Sequence, residues 1–99
     1  MAVIEDRRDH PPAKSYTTTL LAGGVDVIGH KIAEEAAEVV EAAAEAGDTG
    51  RDHLIHEAGD LVYHLLVLLA LRSIPLADVE TELARRFDVS GLDEKAARS

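Results

Sequence analysis

Apolar positions recur along this 99-residue chain at helical intervals, and no stretch alternates as a strand would. The clearest case is the segment from Val25 to Ala46. There Ile28, Ile32, Val39, Ala42 or Ala43, and Ala46 fall on one seam at a spacing of roughly 3.5 residues. Gly23-Gly24 precedes the segment and Gly47-Asp48 follows it, so the pattern predicts a helix over residues 25–46. A second long pattern runs from about Arg51 to Arg72, with Leu54, Ala58, Leu61, Leu65 and Leu68 on its predicted apolar face. Ser73-Ile74-Pro75 ends that helix, and Pro75 suits the first turn of another from Leu76 to Phe87. Upstream, Ser15 to Ala22 reads as a short helical segment capped by Ser15 or Thr17, and His10-Pro11-Pro12 stops any helix begun over Val3 to Asp9. The expected fold is all-α: one domain over 1–99, an antiparallel hairpin turning at 47–50 with short flanking helices, and flexible ends at 1–14 and 89–99. The run LVYHLLVLLAL, Leu61 to Leu71, is apolar on nearly every side and has too few neighbours within so small a subunit. Hairpins are therefore expected to pair into a bundle, as a homodimer or larger oligomer. At eleven residues the run falls well short of the roughly 20 that a membrane span needs, so no membrane association is expected.

Composition narrows the function classes. Hydrophobic residues make up 46% of the chain and aromatics only 3%, which implies an aliphatic, helical core. A net charge of −9 argues against nucleic-acid binding, because neutralising phosphates requires a basic face. The chain has no cysteine, which excludes disulfides and thiolate metal sites, and its N-terminus has no apolar signal region; a cytoplasmic protein is expected.

The distribution of the acids is less ordinary. Glu34, Glu35, Glu38, Glu41 and Glu45 crowd one helix with no base among them, although like charges at i,i+4 cost about 0.2–0.5 kcal/mol. Glu35 interrupts the apolar seam. Glu35–Glu38 and Glu57–Asp60 each have i,i+3 spacing, and an antiparallel hairpin brings the two pairs to similar distances from the turn. Four converging carboxylates repel one another unless a cation joins them. An all-oxygen donor set favours Mg²⁺, with Mn²⁺ possible, over zinc. Such a cation also lets an acidic protein bind a phosphorylated substrate. The plainer alternative is a solvated acidic face, and it is retained for Glu41 and Glu45. His56-Glu57-Ala58-Gly59-Asp60 misses the zinc-protease pattern by its final residue, His53 and His56 read as surface residues, and His64 reads as a hydrogen-bonded core residue.

Glu34-Glu35-Ala36-Ala37-Glu38 followed by Glu57-Ala58-Gly59-Asp60 resembles the E-E-x-x-E…E-x-x-D signature of the MazG-like nucleotide pyrophosphohydrolases. More narrowly, SYTTTLLAGG, KIAEEAAEVVEAA, HEAGDLVYHLLVLLA and SGLDEKAARS resemble the phosphoribosyl-ATP pyrophosphatases of histidine biosynthesis. The resemblance implies Mg²⁺-dependent hydrolysis of phosphoribosyl-ATP at the α–β phosphoanhydride, giving phosphoribosyl-AMP and pyrophosphate. It implies Glu35, Glu38, Glu57 and Asp60 as metal ligands, Glu34 as a further catalytic residue, and a dimeric or larger helical assembly. Lys14, Ser15, Tyr16, Thr17, Lys31, Lys95 and Arg98 are the implied substrate contacts; for Lys31 the alternative is a simple ion pair with Glu35. The chain departs from the family in a shortened N-terminal helix, in His30 where lysine is common, and in lacking the cyclohydrolase domain fused in some members. Two competing readings are a housekeeping (d)NTP pyrophosphohydrolase with the same metal chemistry and a non-catalytic helical dimerisation module.

Overall fold

The apolar periodicity becomes helix almost throughout the computed structural model, which describes residues 1–10 and 15–88. Its elements are α1 (Ala2–Asp9), α2 (Tyr16–Ala43), α3 (Gly47–Leu71) and α4 (Leu76–Asp88), with no strand among the described residues. Ser15 caps α2, its Oγ accepting from the Thr18 amide at 3.3 Å and from Arg7 Nη1 at 3.0 Å. One side chain thus starts α2 and ties α1 to it. Arg8 Nη1 donates to the Ala70 carbonyl at 2.9 Å, satisfying an acceptor in the last turn of α3 and fixing the other end of α1. Ile4 drops into the core between these two tethers.

α2 is broken at Gly24, where φ is +72° and ψ −162°, a conformation essentially restricted to glycine. The break matches the expected interruption at Gly23-Gly24 and turns the Ser15–Gly23 segment back along α3. Its consequence is visible in the contacts: Tyr16 meets His64, and Thr17 meets Tyr63. Had α2 continued straight, eight further residues would have carried Tyr16 about 12 Å past Gly24, toward the far end of α3.

The hairpin turn is displaced from the expected 47–50 to Ala44-Glu45-Ala46, and Gly47–Gly50 forms the first turn of α3. Two features favour this. Asp48 lies in that first turn, where the helix dipole favours an acid. Gly50 lets the backbones close, since a Cβ there would lie 2.4 Å from the Glu45 carbonyl oxygen. α3 ends with the Ser73 and Ile74 amides bonded back to the Ala70 and Leu69 carbonyls at 3.0 and 2.9 Å, and Ser73 takes the left-handed conformation (φ +58°).

The core contains Leu20, Ile28, Val67 and Ala70 besides Ile4, with Ile32, Tyr63, Leu66 and Leu71 packed against it. The inward face of α3 is not the predicted one. Gly50, Glu57, His64, Val67 and Ala70 are buried, whereas Leu54, Ala58, Leu61 and Leu68 are half-buried and Leu65 is exposed. α3 is apolar around most of its circumference, so hydrophobicity alone did not select a face. The stripe that turned inward carries His64, whose Nε2 meets the Tyr16 hydroxyl of α2, and Glu57, which lies against Glu35 and Glu38 of α2. Packing within the subunit is dominated by α2 on α3, with α1 across both. That leaves Val62, Leu65, Leu83 and Phe87 exposed, Phe87 at 82%. α3, at 25 residues, is long and apolar enough by composition to cross a membrane; here it lies along α2 and carries Glu57 and Asp60.

Candidate active site

With the turn centred on Glu45, Glu35 lies ten residues before it and Glu57 twelve after, against seven for Glu38. The displaced turn therefore sets Glu35, rather than Glu38, most nearly level with Glu57. One carboxylate oxygen from each of Glu35, Glu38 and Glu57 comes within 4.8 Å of the others. Glu57 also belongs to a second group of the same tightness with Asp60 and His56, so it joins the two acid pairs. Glu57 is buried, Glu35 and Asp60 are half-buried, and Glu38 is exposed, which opens the cluster to solvent on one side.

Glu35 Oε2 and Glu57 Oε2 are both buried without a hydrogen-bond partner. Desolvation pushes the Glu35 carboxyl up to about 7, reinforced by the adjoining Glu57 carboxyl and by the charges of Glu38 and Asp60. Glu38 is raised too, first through its contact with Glu57. Glu57 is held below the usual carboxylate range by its hydrogen bonding with Glu38, against the effect of burial and with help from His53 and His56. The cluster thus keeps a proton near neutral pH, because three carboxylates this close do not ionise together.

Two orphaned oxygens, an all-oxygen donor set and clustering within 4.8 Å are what a hard divalent cation requires. A cation there would satisfy both buried oxygens and displace the shared proton. The donor set therefore fits such an ion on grounds independent of the sequence signature.

The remaining candidates separate. Glu34 faces away: its carboxylate pairs with His30 Nε2 at 3.0 Å and Lys31 Nζ at 3.6 Å. Lys31 thus pairs with Glu34, not with Glu35 as the alternative reading had it, because the Glu35 carboxylate is turned into the cluster. Ser15 and Thr17 are buried, Ser15 occupied as a helix cap and Thr17 against the Tyr63 hydroxyl. Of the Ser-Tyr-Thr segment only Tyr16 is exposed. Lys14, Lys95 and Arg98 lie outside the described residues.

Two histidines expected as plain surface border the acids. His53 bridges Glu45 Oε1 (2.9 Å) and Glu57 Oε1 (3.3 Å), and His56 Nε2 lies 3.4 Å from Asp60 Oδ2. The hydrogen bond to Glu45 raises the pKa of His53, with a smaller contribution from Glu57. The i,i+4 spacings His53–Glu57 and His56–Asp60 were legible in the sequence, and they were the available signal for this rim. Glu45, expected to be plain surface, holds the outer end of the His53 bridge.

Comparison with known proteins bears on the same arrangement. A family model described as phosphoribosyl-ATP pyrophosphohydrolase matches residues 1–87. The phosphoribosyl-ATP pyrophosphatase of Rhodopirellula baltica is 53% identical over 98 residues, covering 99% of this chain and 82% of that protein. That of Trichlorobacter lovleyi is 53% identical over 96 residues, 97% of this chain and 86% of the relative, and that of Rhizobium johnstonii 47% over 97 residues, 98% and 88%. The match spans both hairpin helices with their paired carboxylates, and this all-α chain belongs to the phosphoribosyl-ATP pyrophosphohydrolase family.

Proposed function

We propose that this chain is a single-domain, Mg²⁺-dependent enzyme that hydrolyses phosphoribosyl-ATP to phosphoribosyl-AMP and pyrophosphate, the second step of histidine biosynthesis, in the cytoplasm. The observation that carries the reading is the pair of buried, partnerless carboxylate oxygens on Glu35 and Glu57 inside a four-acid patch. Such a patch is costly in a protein that only packs helices, and it becomes favourable in one that holds a cation against a polyphosphate. Family membership and the names of the relatives support the substrate.

In this reading Glu35, Glu38, Glu57 and Asp60 hold Mg²⁺, with Mn²⁺ as a substitute. When bound, the ion offsets charge on the phosphates and the leaving pyrophosphate and makes water a better nucleophile. Water adds at the α-phosphorus as its bond to the bridging oxygen breaks, the pyrophosphate leaves with that oxygen, and the proton of the water passes to solvent. The protein's own contribution is positional. Glu57, anchored in the buried stripe of α3, fixes the two acid pairs relative to each other; His53 and His56 brace Glu57 and Asp60 from the solvent side. Glu34 stays outside the ligand set and steadies Lys31, which stands one helical turn before Glu35 as a candidate phosphate contact. A homodimer would cover the apolar residues that α3 and α4 leave exposed.

The test is pyrophosphate release from phosphoribosyl-ATP and from a panel of dNTPs, with and without Mg²⁺. The reading requires metal-dependent turnover with phosphoribosyl-ATP preferred. Preference for a dNTP would transfer the chain to a housekeeping role, and absence of turnover on either would leave a dimerisation module.

A further inference from the structure

His64 has no place in the metal chemistry, yet it is buried to 4% exposure one helical turn beyond Asp60. Its hydrogen bonds determine something about its neighbour. His64 Nδ1 lies 2.8 Å from the Asp60 backbone carbonyl oxygen. A carbonyl only accepts, so Nδ1 carries the ring proton. In the neutral ring Nε2 then carries a lone pair, and its contact is the Tyr16 hydroxyl at 3.1 Å. The Tyr16 hydroxyl must therefore donate, and a phenol has one proton to give.

The arrangement is braced on several sides. Tyr63 stacks on Tyr16 with ring centroids 6.1 Å apart and planes 19° from parallel, and its hydroxyl is bonded to Thr17 Oγ1. The His64 ring meets Tyr63 edge-on at 5.2 Å and 72°. Both tyrosines of the chain are in this cluster. Tyr16 nonetheless remains half exposed at 51%, while Thr17 and His64 are covered. With its proton committed to His64, the oxygen of the half-exposed Tyr16 offers only lone pairs to a group that reaches it.

Phosphate oxygens are themselves acceptors and gain nothing there. Hydrogen-bond donors do gain, and on a nucleotide these are ribose hydroxyls and the nitrogen-bound hydrogens of the base. We propose that Tyr16, held as an acceptor by His64, contacts a donor on the nucleoside part of the substrate rather than a phosphate, and that His64 is a positioning residue that sets this polarity. The inference rests on the nucleotide-hydrolysis reading above and adds which part of the substrate faces the Ser15–Gly23 segment. The Gly24 break supplies the geometry, because it brings Tyr16 onto His64, which stands one helical turn beyond Asp60 on α3.

The experiment compares phosphoribosyl-ATP with analogues lacking the 2′-hydroxyl, the 3′-hydroxyl or the exocyclic nitrogen. Wild type should discriminate against one of the three by about three- to tenfold in kcat/KM, the effect of one hydrogen bond, and the analogue that suffers identifies the donor. Tyr16→Phe should raise KM for the parent substrate by a similar factor with kcat nearly unchanged, and should erase that discrimination. His64→Leu should behave like Tyr16→Phe, and His64→Gln, whose amide oxygen again accepts from Tyr16, should restore discrimination. Circular dichroism on each variant separates a folding loss from the specific effect. The proposal is overturned if wild type treats all three analogues alike, if Tyr16→Phe preserves the discrimination, or if it weakens competitive inhibition by free pyrophosphate. Were phosphoribosyl-ATP itself not turned over but a dNTP hydrolysed, the functional reading would fail separately, and the same variants compared on ATP and deoxy-ATP would still decide the role of Tyr16.

Discussion

Titrating Mg²⁺ into the protein at several pH values tests the carboxylate cluster most directly. Glu35 is pushed up to about 7, principally by desolvation and then by the Glu57 carboxyl and its other acidic neighbours. Cation binding needs the ionised form, so it must expel that proton. With a pKa near 7, Glu35 is about nine-tenths protonated at pH 6, half at pH 7 and a tenth at pH 8. The apparent dissociation constant for Mg²⁺ should therefore rise about tenfold from pH 8 to pH 6, with about half a proton released per ion bound at pH 7. Calorimetry in two buffers of different ionisation heat measures both quantities. Stability of the metal-free protein should move consistently. A carboxyl whose folded pKa lies above its unfolded value, about 4.3, stabilises the fold fully below that pH and loses this contribution as pH rises through about 7. The metal-free melting temperature should thus fall between pH 5 and pH 8, and the upward shift produced by Mg²⁺ should be largest at pH 8. A Mg²⁺ affinity flat from pH 6 to pH 8, with no proton release, would refute the reasoning.

Further expectations are separable by variant. Glu35→Gln removes a charge from the crowded patch, so it should raise the metal-free melting temperature at pH 8 and abolish the Mg²⁺-induced shift; a variant that still responds to Mg²⁺ would remove Glu35 from the ligand set. Glu34→Gln should change Mg²⁺ affinity by less than about threefold, since that carboxylate points to His30 and Lys31, and a loss of tenfold or more would show that it turns inward when the ion binds. Gly24→Ala should cost about 1–3 kcal/mol in urea denaturation, a purely conformational penalty because a Cβ there meets nothing within 4 Å. A cost under about 0.5 kcal/mol would mean that the break relaxes without loss. Ile28→Ala, at a fully buried position against Leu20 and Val67, should cost about 2–5 kcal/mol by the same measurement.

The proposed hydrolysis by this acidic, cysteine-free helical hairpin would combine two kinds of residue on one stripe. Glu57 and His64 are both buried on the inward side of α3, seven residues apart. One completes the carboxylate patch, and the other, through Tyr16, gives the exposed edge of the site its polarity.

Much of this was legible without coordinates because it is local. The 3.6-residue period, a cap at Ser15 or Thr17, the glycine interruption at Gly23-Gly24 and the stop at Pro75 mark out the helices, while the end of α2 and the start of α3 fall three to four residues earlier than the pattern predicts. The i,i+3 spacing of Glu35–Glu38 and Glu57–Asp60 guarantees that each pair shares a face of its own helix, wherever that helix is packed. What the tertiary structure decided concerns facing and register. A helix apolar on most sides has several nearly equivalent ways to turn, and the choice fell on the stripe of Glu57, His64 and Val67, which brings His64 to the Tyr16 hydroxyl and Glu57 against the acids of α2, although it is not the most apolar one. Moving the turn from 47–50 to 44–46 set Glu57 nearly level with Glu35, since Gly50 allows a backbone approach that any larger residue would block. The direction of the Tyr16 proton follows from a carbonyl four residues before His64 and a ring brought 48 positions along the chain. Spacing within a helix is set by covalent geometry, whereas the partner each face meets is settled only when the whole chain competes for the same few contacts.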